Sequence, residues 1–154
     1  MHVNDKDAGA FMKVVGGGGA RGVAAGTGDN TEAVGEIVDM LAQPDLRSGT
    51  IVIAGQATLA DTKSIALNDV GLEHGDAANL SDKADFATEV DFAAVKTSSG
   101  GTTEEFGIKL KQDLWGIKRY WRVKVTPDLD ATGTDTFELG FCFVAVCGDS
   151  PQTT

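Results

Sequence analysis

Apolar and polar residues alternate most regularly in the second half of the chain. Phe106, Ile108 and Leu110 alternate with Glu105, Gly107, Lys109 and Lys111. A period of two places one set on each face of a strand, so this segment reads as a half-buried strand. Ile117, Trp121, Val123 and Val125 alternate in the same way with Lys118, Tyr120, Arg122 and Lys124. Arg119 interrupts the inner set near the start of that strand, from where a long side chain still reaches solvent. Pro127 and the turn over residues 128–135 are expected to end it. Phe137, Leu139, Phe141, Phe143 and Ala145 form a third inner face. Here Cys142, Val144 and Val146 on the other side are apolar too, which predicts a central strand or one lying under a partner.

The first half is read from shorter runs. Residues 50–54 are rich in β-branched side chains, and Gly55 separates them from a second run over 57–59. Residues 64–67 predict a strand closed by Asn68, Asp69 and Gly71, and residues 71–84 a loop rich in Asp, Asn, Gly and Ala. In 86–95, Val90 and Phe92 share a face opposite Glu89 and Asp91. Residues 98–101 form a loop. Residues 34–41, apolar at 34, 37, 38, 40 and 41, fit a helix or a strand, and Pro44 with Asp45 ends the segment. About seven or eight short strands without βαβ alternation predict a mainly β protein. The expected architecture is an antiparallel β-sandwich, with jelly-roll topology the first choice.

Residues 1–32 differ from the rest. Gly9, Gly16, Gly17, Gly18, Gly19, Gly22, Gly26 and Gly28 crowd a stretch with few large side chains after Val15. Four consecutive glycines carry a high entropic penalty for ordering. The segment is therefore expected to be an extended arm that orders against a neighbour in an assembly. The organisation that follows is an arm over 1–32, a sandwich domain over 33–150 and a polar tail over 151–154.

Composition narrows the partners. Of 154 residues, 42% are hydrophobic, enough for one domain with a core. The net charge of −10 opposes binding to nucleic acid phosphates and anionic membranes. No apolar run approaches the ~20 residues of a membrane helix, and the polar, acidic first residues do not form a signal peptide. Yet Lys109, Lys111, Lys118, Arg119, Arg122 and Lys124 fall within 16 residues and hold six of the 13 basic side chains. One face is thus expected to be locally basic and suited to docking, set against the alternative of a solvated strand face.

Tests for chemistry return little. Gly17-x-Gly19-x-x-Gly22 has the spacing of a dinucleotide fingerprint, but Gly26 and Gly28 spoil the helix that should follow. His2 and His74 are assigned to the arm and to a loop, away from any catalytic constellation. No Cys/His spacing suits zinc, and Cys142 and Cys147 are expected to be buried free thiols. Asp128, Asp130, Gly133 and Asp135 suggest a calcium loop, but Leu139 stands where the bidentate acid belongs. No cofactor or metal is expected, and no enzyme. Trp121 is assigned to the core, while Trp115 and Tyr120 are candidates for anchoring a protein or stacking on a sugar ring.

Three segments carry a resemblance: residues 116–127 (GIKRYWRVKVTP), residues 133–136 (GTDT) and residues 143–148 (FVAVCG). They resemble the C-terminal half of small structural proteins of tailed phages. There a G-x-KRY-x-R-V-x-V-T strand precedes a Thr/Gly/Asp turn and a small-residue apolar strand. The good match covers about a third of the chain; residues 48–53 and 86–90 fit the same layout loosely, and the glycine-rich segment departs from it. The resemblance implies a head decoration or cement protein with no catalytic residues. It implies binding to the major capsid protein as a dimer or trimer on the exterior of the virion, after synthesis in the host cytoplasm. The candidate contact residues are Gly16, Gly17, Gly18, Gly19, Arg21, Trp115, Lys118, Tyr120, Arg122 and Lys124. The competing expectation is a carbohydrate-binding or tail-associated receptor-binding module.

Overall fold

The computed structural model describes residues 12–26, 29–130 and 133–147, with Val146 and Cys147 described by their backbone alone. Among them are nine strands and no helix: β1 (Met12–Ala24), β2 (Ala33–Val34), β3 (Val38–Asp39), β4 (Leu46–Thr58), β5 (Ser64–Gly75), β6 (Ala84–Thr97), β7 (Thr103–Asp113), β8 (Tyr120–Leu129) and β9 (Thr136–Cys147). They form two antiparallel sheets. One is ordered β1-β9-β4-β7; the other is ordered β2-β8-β5-β6, with β3 also paired to β8. The chain is therefore a mainly β antiparallel sandwich.

The core lies between the sheets. Ile51 and Ile53 of β4 and Phe137, Phe141 and Phe143 of β9 face Ile65, Leu67 and Leu72 of β5 and Trp121, Val123 and Val125 of β8. These are the alternating sets, and the alternation along β7 and β9 matches the burial seen there. β9 is central in its sheet, and its outward Cys142 and Val144 are half-buried.

The glycine run behaves differently from the expected arm. Met12–Ala24 is an edge strand paired with β9 from Met12↔Val146 to Ala24↔Thr136, with two register shifts on the way. Residues 1–11 lie outside the described part. The glycines are required by close approach. A Cβ at Gly18 would sit 2.6 Å from the Phe141 ring and 2.8 Å from the Gly35 Cα. At Gly19 it would sit 2.5 Å from the Leu139 carbonyl oxygen. Gly16 has φ +62°, where side chains are disfavoured. Ordering entropy is offset by a backbone ladder and by packing over Phe141, terms that composition does not display. Gly18→Ala is accordingly expected to cost about 1–3 kcal/mol, because both the buried ring and the backbone would have to shift. Chemical denaturation measures it; an unchanged midpoint would show that β1 is loosely seated.

Four further boundaries move. Gly55 lies inside β4, where a Cβ would strike the Glu138 carbonyl, so it is a close-approach residue and not a break. Asn68 and Asp69 form a bulge within β5 and do not close it: Asp69 has φ 51°, and its N–H donates to Asp91 Oδ1 at 2.9 Å. The expected loop over 71–84 shrinks to the turn between β5 and β6. Pro127 stands within β8 opposite Leu67; on the other flank β2 reaches only to Val125, so no described strand needs its missing N–H. Residues 34–41 resolve as β2 and β3, two short strands laid along β8.

Candidate docking surface

The six clustered basic residues do not form one basic face. Lys109 and Lys111 point outward from β7 of the four-stranded sheet and meet no acid among the described residues. The other four belong to the opposite sheet or the turn before it, and each is matched by acid. Lys118 Nζ lies 2.9 Å from Asp76, which raises its pKa. Arg119 forks onto both oxygens of Asp39 at 3.1 and 3.0 Å, and that hydrogen bonding holds the Asp39 carboxyl below the usual range. The same guanidinium lies 4.8 Å from the centre of the Tyr120 ring.

Arg122 and Lys124 are more deeply committed. Cross-strand pairing puts Glu73 of β5 between Arg122 of β8 and Asp85 of β6. Glu73 is only 2% exposed, bonded to Arg122 and 2.8 Å from Lys83 Nζ. Lys124 is 6% exposed; it pairs with Asp85 at 2.6 Å and with Glu89. Burial alone would lower the Lys124 pKa, but its two carboxylate partners outweigh burial and raise it. The expected locally basic face is therefore corrected: at Arg122 and Lys124 it is a charge lattice paired within the molecule. The acids that neutralise it lie 39 and 49 residues away along the chain.

The end of the sandwich where β7 leads into β8 is different. Trp115 is 89% exposed and Leu41, in the turn after β3, is 70% exposed. They flank a cleft of about 540 Å³ whose walls include Met40, Leu46, Leu114 and Ile117. The loop is held from within. Trp115 N–H donates to Asp113 Oδ1 at 2.9 Å, Leu41 N–H to Asp39 Oδ1 at 2.9 Å, and Arg47 Nη1 to the Pro44 carbonyl at 2.7 Å. Lys118 N–H donates to His74 Nδ1 at 3.1 Å. His74 thus lies in β5 and not in a loop; it packs 5.1 Å from the Phe86 ring, and burial, then the Lys118 charge, lowers its pKa. Met12 and Val14 of β1, both exposed, occupy rows at the same end, since Met12 pairs with Val146, Val146 with Ser48 and Ser48 with Asp113.

Of the ten candidate contact residues, this end holds Trp115, Lys118 and Tyr120. Arg122 and Lys124 lie on the outer face of one sheet, and Gly16, Gly17, Gly18, Gly19 and Arg21 on the edge of the other. Leu41 was missed as a contact residue: it closes the apolar set over 34–41, a pattern that a buried face would share.

Other features are structural. A shallow trough of about 840 Å³ crosses the outer face of the four-stranded sheet over Gly19, Gly140 and Ala54. Its rim is self-paired, with Gln56 donating to Glu138 at 2.6 Å and Arg21 3.7 Å from Glu138. The Gly17–Gly22 spacing falls within β1 and opens no helix. Asp135 is buried, accepting the Ala60 N–H on Oδ2 at 2.9 Å and the Ala25 N–H on its carbonyl. It pins two loops, and no group of three or more metal-ligating side chains occurs among the described residues. Cys142 is free and half-buried, whereas full burial was expected; the Cys147 side chain lies outside the described part. Compared with protein-family models and with curated proteins, the chain matches none.

Proposed function

We propose that this protein is a non-enzymatic binding module that decorates and stabilises a tailed-phage capsid. In this reading it docks on the major capsid protein with the Trp115 end of the sandwich. One observation carries the reading: Trp115 and Leu41 stand exposed on two turns that border the same cleft, and each turn is held by its own hydrogen bonds. Rigid exposed aromatics of this kind dominate protein interfaces, because they bury much area and lose little entropy. The phage resemblance supplies the partner and the virion location. Taking β3 together with β2, the interleaved order of the two sheets supports the jelly-roll reading, and jelly rolls are common in capsid proteins.

The second reading, a glycan-binding module, is favoured by the same exposed indole. It is weaker here because several polar groups at the cleft already bond within the protein: Asp113 Oδ1, both Asp39 oxygens and Arg47 Nη1.

Co-sedimentation with capsids lacking the protein decides between them. Trp115→Ala is expected to leave stability within about 0.5 kcal/mol of the parent. It is expected to weaken capsid binding about 30-fold or more, as loss of a hot-spot aromatic does. Equal capsid binding by the variant would remove this end from the interface. Saturable glycan binding lost with the same substitution, and no capsid binding, would establish the second reading.

A further inference from the structure

The three long edge strands of the sandwich are not alike. β1 is interrupted by two register shifts against β9, and β6 by three against β5, with Ala87 at φ 65°. Bulges of this kind twist an edge away from new partners. β7 has none. Its eleven residues pair with β4 without a break, from Ser48↔Asp113 to Thr58↔Thr103, and it contains no proline. Its other flank pairs with no described strand. At about 3.4 Å per residue that is a seam of roughly 35 Å of straight, unpaired backbone.

The side chains specify what fits this seam. On the outer face β7 reads Thr103, Glu105, Gly107, Lys109, Lys111 and Asp113: acidic at Glu105, basic at Lys109 and Lys111, and acidic again at the last residue. Neither Glu105, Lys109 nor Lys111 has an ion-pair partner among the described residues. The inward set Phe106, Ile108 and Leu110 is only partly covered beyond Phe106. An identical strand laid alongside in parallel would oppose like charges. Laid antiparallel, it opposes Glu105 to the basic residues.

We propose that the occupant is β7 of a second copy, joined edge to edge about a two-fold axis at Ile108. Glu105 of each copy then stands opposite Lys111 of the other, with Lys109 on one diagonal and Asp113, opposite Thr103, on the other, so that attraction outweighs the one like-charge diagonal; Phe106 stands opposite Leu110. Such pairs each add modestly to a main-chain ladder, and the two four-stranded sheets become one of eight strands. The two-fold closes the assembly, so the seam is used up and no fibre grows. The lysines guard the edge against unrelated strands while admitting this one. The inference names the surface of the oligomer implied by the phage resemblance. It stands on the strand alone, whether or not the protein docks on a capsid.

Sedimentation velocity of the full chain over a concentration series tests it, without capsids. The parent is expected to show a monomer–dimer equilibrium. Glu105→Lys makes the outer row basic across the axis, and Lys109→Glu with Lys111→Glu makes it acidic. Each variant alone is expected to dimerise at least about tenfold more weakly, and an equimolar mixture of the two to recover a dimer. These are exposed side chains, so circular dichroism of each variant should match the parent. Slowed hydrogen exchange across β7 in the dimer, absent on dilution, is expected as well. A parent that stays monomeric at its highest concentration, variants that dimerise as the parent does, or a mixture that remains monomeric would each overturn the proposal.

Discussion

Trp121→Ala is expected to cost about 3–5 kcal/mol, the largest loss from any single side chain of the core. The indole belongs to β8 and is fully buried; it meets Phe143 of β9 edge-on, ring centres 5.1 Å apart at 74°. It therefore ties the five-stranded sheet to the four-stranded one, and its neighbours cannot follow it inward because their own strands hold them. Its pairing to both Val38 and His74 fixes it from two sides. The indole N–H meets no acceptor among the described residues. A buried donor left in that state costs about 1–3 kcal/mol. Trp121→Phe is thus expected to lose clearly less than the volume change implies, since it removes the donor along with part of the ring. Urea denaturation of the two variants checks both statements. A loss below about 2 kcal/mol for the alanine would mean that the sheets close over the gap. A phenylalanine variant as unstable as the alanine would mean that the donor is satisfied.

The legibility of this fold follows from what each residue interacts with. Alternation along β7 was readable because one face of the strand meets the core and the other carries charge, a contrast written locally. Central placement of β9 followed from its second apolar face. The glycine run was misread because its constraint is not local. Gly18 is fixed by Phe141 and Gly35, and neither can be associated with it before the strands are paired. The same holds for charge. Lys124 looks like any outward residue of an alternating strand, and only the neighbouring β5 and β6 reveal that Asp85 and Glu89 have enclosed it. Gly71, beside Lys124 in register, leaves open the space over which that lysine reaches Glu89. Pro127 reads locally as an end because the flank on which a strand lacks a partner is set by tertiary pairing. Trp115 was singled out on residue type alone; its exposure came from the loop it occupies. Leu41 had no such flag.

Glu73→Leu is expected to cost about 2–4 kcal/mol, second only to the loss of Trp121. Glu73 is nearly inaccessible and accepts from both Arg122 and Lys83. Removing a buried partner leaves cations whose hydration has already been surrendered. The range is set below that of a fully enclosed pair because Lys83 is 41% exposed and can turn to water, whereas Arg122, at 20%, has less freedom. Hydrogen bonding to Glu73 is also the main reason that the Lys83 pKa is raised. Combining Glu73→Leu with Arg122→Met should recover much of the loss, because the orphaned guanidinium is removed and the two apolar side chains can cover one another. The single loss should also persist in high salt, since screening acts weakly on a pair shielded from solvent. Denaturation of the single and double variants at low and high salt measures all of this. If the double variant is no more stable than the single one, the energy lies in packing around Glu73. If the single loss disappears in salt, the pair behaves as a surface contact, and the charge lattice serves only to keep these residues from engaging partners.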